Sequence, residues 1–310
     1  MSEYSIGLDL GGTNLRAAAV DANGKMLQKI WATTDLTRGP EAVMEDMAKA
    51  IDALRHSLGS QSLHGIGVAV PGFIRLKEGV IMGSNNLAVL EGYPMRDSLQ
   101  KRLDAPVILE NDANAAAMGE KWIGAGRDVD DLVLLTLGTG IGGGIISDGK
   151  ILHGFLGMAG EIGHITVVPN GNPCGCGNHG CLEKHASATA IAALGRMIGL
   201  GDITSEEVYT LAKQGDPRAL AVFEHMGRAL GMALALLVNI FNFPLYLISG
   251  GPIPAWDVFS IPMLAELKQR SFTYRASKTV VAKAELGNEA GLYGAAYLPW
   301  GAETNYVARA

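Results

Sequence analysis

Apolar and polar residues alternate from the start of the chain. Tyr4 to Leu10 reads as a β-strand, Gly11-Gly12-Thr13 as a tight bend and Leu15 to Val20 as a returning strand. Asn23-Gly24 then turns the chain into a third strand, Met26 to Thr33, which completes a meander. The period changes at Pro40. Val43, Met47, Ile51, Leu54 and Leu58 recur at helical spacing, with Pro in the first turn and Gly59 past the end, so residues 40–58 read as an amphipathic helix. Ile66 to Val70 and Val107 to Leu109 read as buried strands, and the second runs through Glu110-Asn111-Asp112 into a helix of small residues. Leu132 to Leu137 is a further apolar strand, and β character resumes at Ile145-Ile146 before an Asp148-Gly149 turn. Beyond residue 185, Ala186 to Leu200 and Ser205 to Gln214 read as helices, and Glu289 to Leu298 as a small-residue helix expected to return to the N-terminal domain.

One run is apolar enough to be mistaken for a membrane span. Ala229 to Trp256 carries no charge, but Asn239, Asn242 and Pro244 interrupt it, and Gly231 to Ile240 is too short to cross a bilayer that needs about 20 residues. It reads as a buried helix followed by a buried strand, Leu245 to Ser249, that ends in Gly250-Gly251-Pro252. Length and a hydrophobic content of 48% suit two compact domains or one large one. With 25 basic against 31 acidic side chains and no basic run, nothing offers a footprint for nucleic acid or anionic lipid. The start, MSEYSIGLDL, lacks the pattern of an export signal.

The chemistry is concentrated between Gly160 and Glu183, which hold all three cysteines, two histidines and two carboxylates. Cys174, Cys176 and Cys181, spaced C-x-C-x4-C among glycines, let three thiolates converge on one soft cation. One tetrahedral corner remains. His164 can reach it from before the Pro169 to Pro173 turn elements, and His179 inside the loop is its rival. Four protein ligands with no open position make a structural zinc site. Thiols reserved for a metal suit a reducing cytoplasm. Glu161 and Glu183 bracket the loop, so closing it would bring together two carboxylates suited to binding hydroxyls.

Two glycine turns carry a second kind of chemistry. Asp9 stands at a strand end before Gly11, Gly12 and Thr13, whose amides and hydroxyl make a phosphate cradle with an acidic neighbour for magnesium. Gly138-Thr139-Gly140 opens a similar strand-loop-strand turn. Its G-x-G-x-x-G spacing does not mark a dinucleotide fold, because a strand and not a helix follows. A near-Walker stretch, Gly144 to Lys150, fails because Ile151 stands where a Ser or Thr hydroxyl is required. Asp112, at a strand-to-helix junction, can be read as a plain N-cap.

G-E-I-G-H followed by C-x-C-G-x-x-G-C-L-E resembles the motif of the ROK family, sugar kinases and sugar-responsive repressors of the hexokinase and actin-like ATPase superfamily. The resemblance covers nearly the whole chain and implies a two-domain α/β fold, actin-like ATPase or hexokinase (ribonuclease H-like), with a structural zinc loop. Residues 1–111 plus 290–310 would form a smaller domain, and 112–289 a larger one with the zinc loop at 160–183. It further implies that His164 ligates zinc and faces the sugar, that Glu161 and Glu183 accept sugar hydroxyls, and that Asn86 and the Gly72 backbone lie on the sugar. Asp112 becomes the general base and Asn111 orients the hexose, while Gly250 and Gly251 border the adenosine. The N-D-A-N-A-A-A form is closest to the family's bacterial glucokinases, whereas Ala188 stands where members usually carry Gly.

The expected reaction is attack of a primary sugar hydroxyl, O6 of glucose, on the γ-phosphate of magnesium-ATP, with the two domains closing to exclude water. Kinases for N-acetylhexosamines, N-acetylmannosamine or fructose are the nearest alternatives, and the donor could be another nucleotide or polyphosphate. A non-catalytic sugar sensor is an alternative of a different class. A repressor is disfavoured, since a first strand beginning by Tyr4 leaves no room for a helix-turn-helix. The resemblance also implies a homodimer or a dimer of dimers.

Overall fold

A computed structural model describes residues 3–305 and divides into two compact units. The first unit holds Met1–Asp130, Gly144–Ala159 and Glu285–Ala310; the second holds Asp131–Gly143 and Gly160–Ala284.

The first part of the chain builds β1 (Glu3–Leu10), β2 (Asn14–Asp21), β3 (Met26–Thr33), α1 (Pro40–Ser57), β4 (Ser62–Val70), the hairpin β5 (Phe73–Arg75) and β6 (Val80–Gly83), α2 (Met95–Leu103), β7 (Val107–Asn111) and α3 (Asp112–Trp122). Five of these strands form a sheet in the order β3-β2-β1-β4-β7, with β1, β2 and β3 antiparallel neighbours and β4 and β7 parallel to β1. Alternation along β1 sorts its two faces. Tyr4, Ile6, Leu8 and Leu10 join a core with Val43, Met47 and Ile51 of α1 and Leu99 of α2. Ser5, Gly7 and Asp9 point the other way, toward α9 (Ala290–Asn305), where Ser5 Oγ donates to the Ala296 carbonyl.

Helix α9 lies against that face at backbone distance. A Cβ on Gly67 of β4 would stand 1.9 Å from the Ala295 carbonyl oxygen, and one on Gly294 would stand 1.6 Å from that of Ala115 in α3. Only glycine permits this approach. It also explains why residues 112–130 belong with the first unit, although the sequence suggested a boundary at 111: α3 is packed onto α9. The buried Glu120 carboxylate strengthens this join by accepting from the Ala125, Glu285 and Leu286 amides.

The remaining elements are β8 (Leu132–Leu137), β9 (Ile141–Ser147), β10 (Lys150–Ile151), α4 (Glu183–Ala186), α5 (Ala188–Met197), α6 (Ser205–Lys213), α7 (Pro217–Phe241), β11 (Leu245–Gly250), α8 (Trp256–Arg270) and β12 (Val280–Lys283). Their sheet, β10-β9-β8-β11-β12, follows the strand order of the first: three consecutive strands, with β10 antiparallel to β9, and then β11 parallel to both β8 and β12. The internal likeness lies in topology and has no counterpart in a sequence repeat.

Two expectations are corrected here. The helix expected over Ala186 to Leu200 is broken at Ser187, which leaves α4 and caps α5 by accepting from the Ala190 amide. The buried helix expected from Gly231 begins instead at Pro217 and runs 25 residues, so it is long and apolar enough to cross a membrane by length and composition. The helix extends N-terminally beyond the uncharged run because Arg218, Glu224 and Arg228 occupy the exposed side of α7. Packing accounts for the apolar side, since Phe223, Met226, Leu230, Leu234 and Val238 are buried within the protein.

Candidate active site

In the first unit the site is built on the head of the first sheet. Gly11 N–H donates to Asn14 O at 2.8 Å and closes the bend between β1 and β2, leaving Thr13 exposed. A Cβ on Gly12 would lie 3.5 Å from the Asn86 carbonyl oxygen, so the 83–87 turn sits beside this first glycine turn. Asp9 is paired in register with Arg16 on β2, and Arg16 with Trp31 on β3. This row is a charge ladder. The Arg16 guanidinium bonds the Asp9 carboxylate, donates to Asn288 O at 2.8 Å and lies over the Trp31 ring. Lys29, also over Trp31, pairs with Glu289 at 2.6 Å. Arg16 was not singled out in the sequence, although the hairpin register that sets it opposite Asp9 was legible.

At the end of β7 the N-cap of α3 is Asn111, not Asp112. Asn111 Oδ1 accepts from the Ala113 and Asn114 amides, and its Nδ2 donates to Gly72 O at 3.2 Å. Asp112 is the first helical residue, half-buried, with Oδ1 accepting from the Ala113 amide at 2.9 Å. Thus Asn111 and the Gly72 backbone are in contact, and capping does not depend on Asp112.

The second unit gathers the metal-type ligands. His164, Cys174, Cys176 and Cys181 offer ligand atoms that all lie within 4.8 Å of one another, whereas His179 is exposed and outside the set. Cys176 Sγ is 3.7 Å from Cys181 Sγ, and His164 Nδ1 is 3.6 Å from Cys174 Sγ. A tetrahedral zinc with Zn–S bonds of about 2.3 Å has sulfur–sulfur edges of about 3.8 Å, so the donor set fits that ion. Burial and the two neighbouring thiols push Cys181 up to about 12, while an amide hydrogen bond from Asn178 lowers Cys176. Crowded thiols of this kind are a poor place for thiolates until a cation offsets their charge.

Around the cluster stand the two carboxylates. Glu161 lies 3.9 Å from His164 Nε2, and its carboxyl is pushed up by partial burial, with His164 opposing the shift and the Glu183 charge adding to it. Glu183 is also a brace. Its Oε2 accepts from the Ile141 amide at 3.2 Å, directly after the second glycine turn, and a Cβ on Gly140 would stand 2.4 Å from that oxygen. The same turn is held from α5, where Thr189 Oγ1 donates to Thr139 O and the Ala188 amide to Gly138 O. From β11, the Gly251 amide donates to Leu137 O at 2.9 Å, and Gly250, at φ 107°, is pressed against the Leu137 backbone. A cavity of about 480 Å³ opens here, lined by Thr139, Ala188, Thr189, Arg196 and Glu206. Ser205 and Glu206 also line a smaller pocket that reaches Tyr209, Gly251 and Pro252. The sequence located the glycines but not Thr189, Glu206 or Tyr209, whose side chains have no distinctive spacing.

Known proteins resemble this chain over nearly its whole length. The glucokinase of Halalkalibacterium halodurans is 38% identical over 95% of this chain and 94% of its own. Among solved structures, the ROK hexokinase of Thermus thermophilus superposes with a TM-score of 0.84 at 34% identity, covering 94% of this chain and 96% of that one. A ROK family glucokinase from Streptomyces griseus, in complex with glucose and AMPPNP, gives a TM-score of 0.79 at 32% identity over 95% and 98% of the two chains. The ROK family model matches residues 5–301. The fold is therefore that of the actin-like ATPases, and the chain belongs to the ROK family.

Proposed function

We propose that this ROK-family hexose kinase transfers the γ-phosphoryl group of ATP to O6 of glucose, with Asp112 as general base. The observation that carries the base assignment is local. Asn111 takes over the N-cap, so the Asp112 carboxylate sits at the head of α3 without being required to cap it. Asp112 removes the proton from the attacking hydroxyl, and such a base contributes roughly 10²- to 10⁴-fold. Asn86, Asn111, Glu161, His164 and Glu183 hold the hexose by its other hydroxyls.

The donor is bound by Gly11, Gly12, Thr13, Gly138, Thr139 and Gly140, with Gly250 and Gly251 beside the adenosine. The cavity beside Thr139 and the smaller pocket at Gly251, which share Ser205 and Glu206 in their linings, support this reading. Magnesium arrives with ATP near Asp9, whose carboxylate Arg16 holds in place. Zinc bound by His164, Cys174, Cys176 and Cys181 supplies folding energy to the loop and takes no part in the chemistry. Most of the acceleration is then positioning and charge stabilisation.

The test is coupled ADP release with magnesium-ATP against glucose, mannose, fructose, N-acetylglucosamine and N-acetylmannosamine. The reading requires glucose to give the highest kcat/KM. Preference for an N-acetylated hexosamine or for fructose would reassign the substrate within the family, and sugar binding without turnover would make the chain a sensor.

A further inference from the structure

Glu110 is a buried carboxylate with no part in the reaction above. It is 1% exposed at the end of β7, one residue before Asn111 and two before Asp112. Its Oε1 accepts from the Asn111 amide at 2.9 Å and from Asn114 Nδ2 at 3.0 Å, and its Oε2 meets His153 Nε2 at 2.7 Å. A carboxylate only accepts, so the imidazole carries its proton on Nε2 in this contact. His153 lies on the segment that follows β10, where its carbonyl accepts from the Ala159 amide at 3.1 Å. The same segment touches β5: a Cβ on Gly157 would stand 2.9 Å from the Ile74 carbonyl oxygen.

These contacts converge on one turn of backbone. Glu110 fixes the amide of Asn111 and the side chain of Asn114, and Asn111 in turn caps the amides of Ala113 and Asn114. Asp112 is enclosed between groups that a single carboxylate orients. The His153 contact is one of the bonds that orient the Glu110 carboxylate, so its loss relaxes that orientation, and any rotation of Glu110 is passed to the Asn111 amide and to Asn114.

We propose that His153 is a positioning residue for phosphoryl transfer, which holds Glu110 so that the first turn of α3 aims Asp112 at the sugar hydroxyl. This inference rests on the kinase reading. The Asn111 side chain caps α3 without help from His153, so loss of His153 affects the aim of Asp112 more than the stability of α3.

The experiment compares His153→Ala, His153→Gln and the wild type in steady-state kinetics, thermal melting and amide exchange over residues 107–118. In His153→Ala, kcat falls about tenfold to hundredfold while both KM values stay within about threefold, because misaimed groups cost rate before binding. His153→Gln, whose amide can donate to Glu110, recovers most of kcat. Exchange at the Asn111 to Ala116 amides rises in the alanine variant and returns toward wild type in the glutamine variant. The proposal is overturned if His153→Ala leaves kcat and exchange unchanged, or if both variants lose kcat, melting temperature and protection equally. Should the wild type turn over no hexose, the kinase reading fails by itself, and the exchange pattern still decides whether His153 orders the turn that carries Asp112.

Discussion

The two glycine turns occupy equivalent places in two sheets of the same strand order, yet they are held by different means. Gly11 to Thr13 leads from β1 to β2, and its nearby charge, Asp9, is matched within the meander by Arg16. Gly138 to Gly140 leads from β8 to β9 and is braced from outside the sheet, by Glu183 at the end of the cysteine loop and by Ala188 and Thr189 at the start of α5. The first turn depends on strand register, which the sheet supplies. The second depends on a loop that has few apolar residues of its own and four metal-type ligands.

That difference predicts unequal sensitivity. Metal loss is expected to separate the two turns most widely. Native protein should contain about one zinc per chain, because four ligands close one tetrahedral site. Cys181→Ser should release it, since Cys181 is fully buried in the cluster. With the loop unfolded, Glu183 no longer holds Ile141, and kcat/KM falls about a hundredfold. The first turn should tolerate the same treatment. Metal analysis, melting and amide exchange measured together check this, and loss of zinc with Gly138 to Ile141 still protected would break the comparison.

Arg16→Leu comes next. It removes the counter-charge of Asp9 and should lower kcat about tenfold to hundredfold, with the hexose KM little changed. An effect confined to the hexose KM would place Arg16 elsewhere in the function. Gly140→Ala is a smaller perturbation, because its Cβ meets the end of a side chain that can move, 2.4 Å from Glu183 Oε2. It should raise the KM for ATP about fivefold while leaving the hexose KM in place; equal rises in both would show that the brace serves the sugar instead.

Much of this contrast was legible in the sequence. Period-two alternation gave β1 to β3, and the C-x-C-x4-C spacing with His164 or His179 pointed to the loop in which the fold gathers His164 and the three cysteines. Contacts between distant segments were less accessible. Glu120 gathers amides from residue 125 and from residues 285 and 286, and Glu110 meets His153, in each case through folding and not through spacing. The break at Ser187 was hidden because Ala186 and Ala188 both favour a helix, and a serine between them is equally compatible with its interior. Asp112 could be read as a cap because Asn and Asp are adjacent and both suit the role; only the hydrogen bonds assign it to Asn111.

The smallest expected effect concerns acid stability of the second unit. His185 Nδ1 lies 3.0 Å from His225 Nε2, and burial holds both imidazoles below their ordinary range, with His225 adding to the shift at His185. The unfolded chain then takes up protons first as the pH falls below about 6.5, so the stability is complete above that value and declines as the pH drops toward the folded values. The melting temperature should fall over this interval, and less steeply in His225→Gln. An unchanged slope in that variant would remove the pair from the acid response.

The most direct test of the account is the effect of Asp112→Ala on turnover and on hexose binding, measured in the same preparation. If Asp112 is the base and Asn111 caps α3, kcat falls by roughly 10²- to 10⁴-fold while the hexose Kd and the melting temperature stay close to wild type. Near-normal turnover, or parallel loss of turnover, binding and stability, would contradict it.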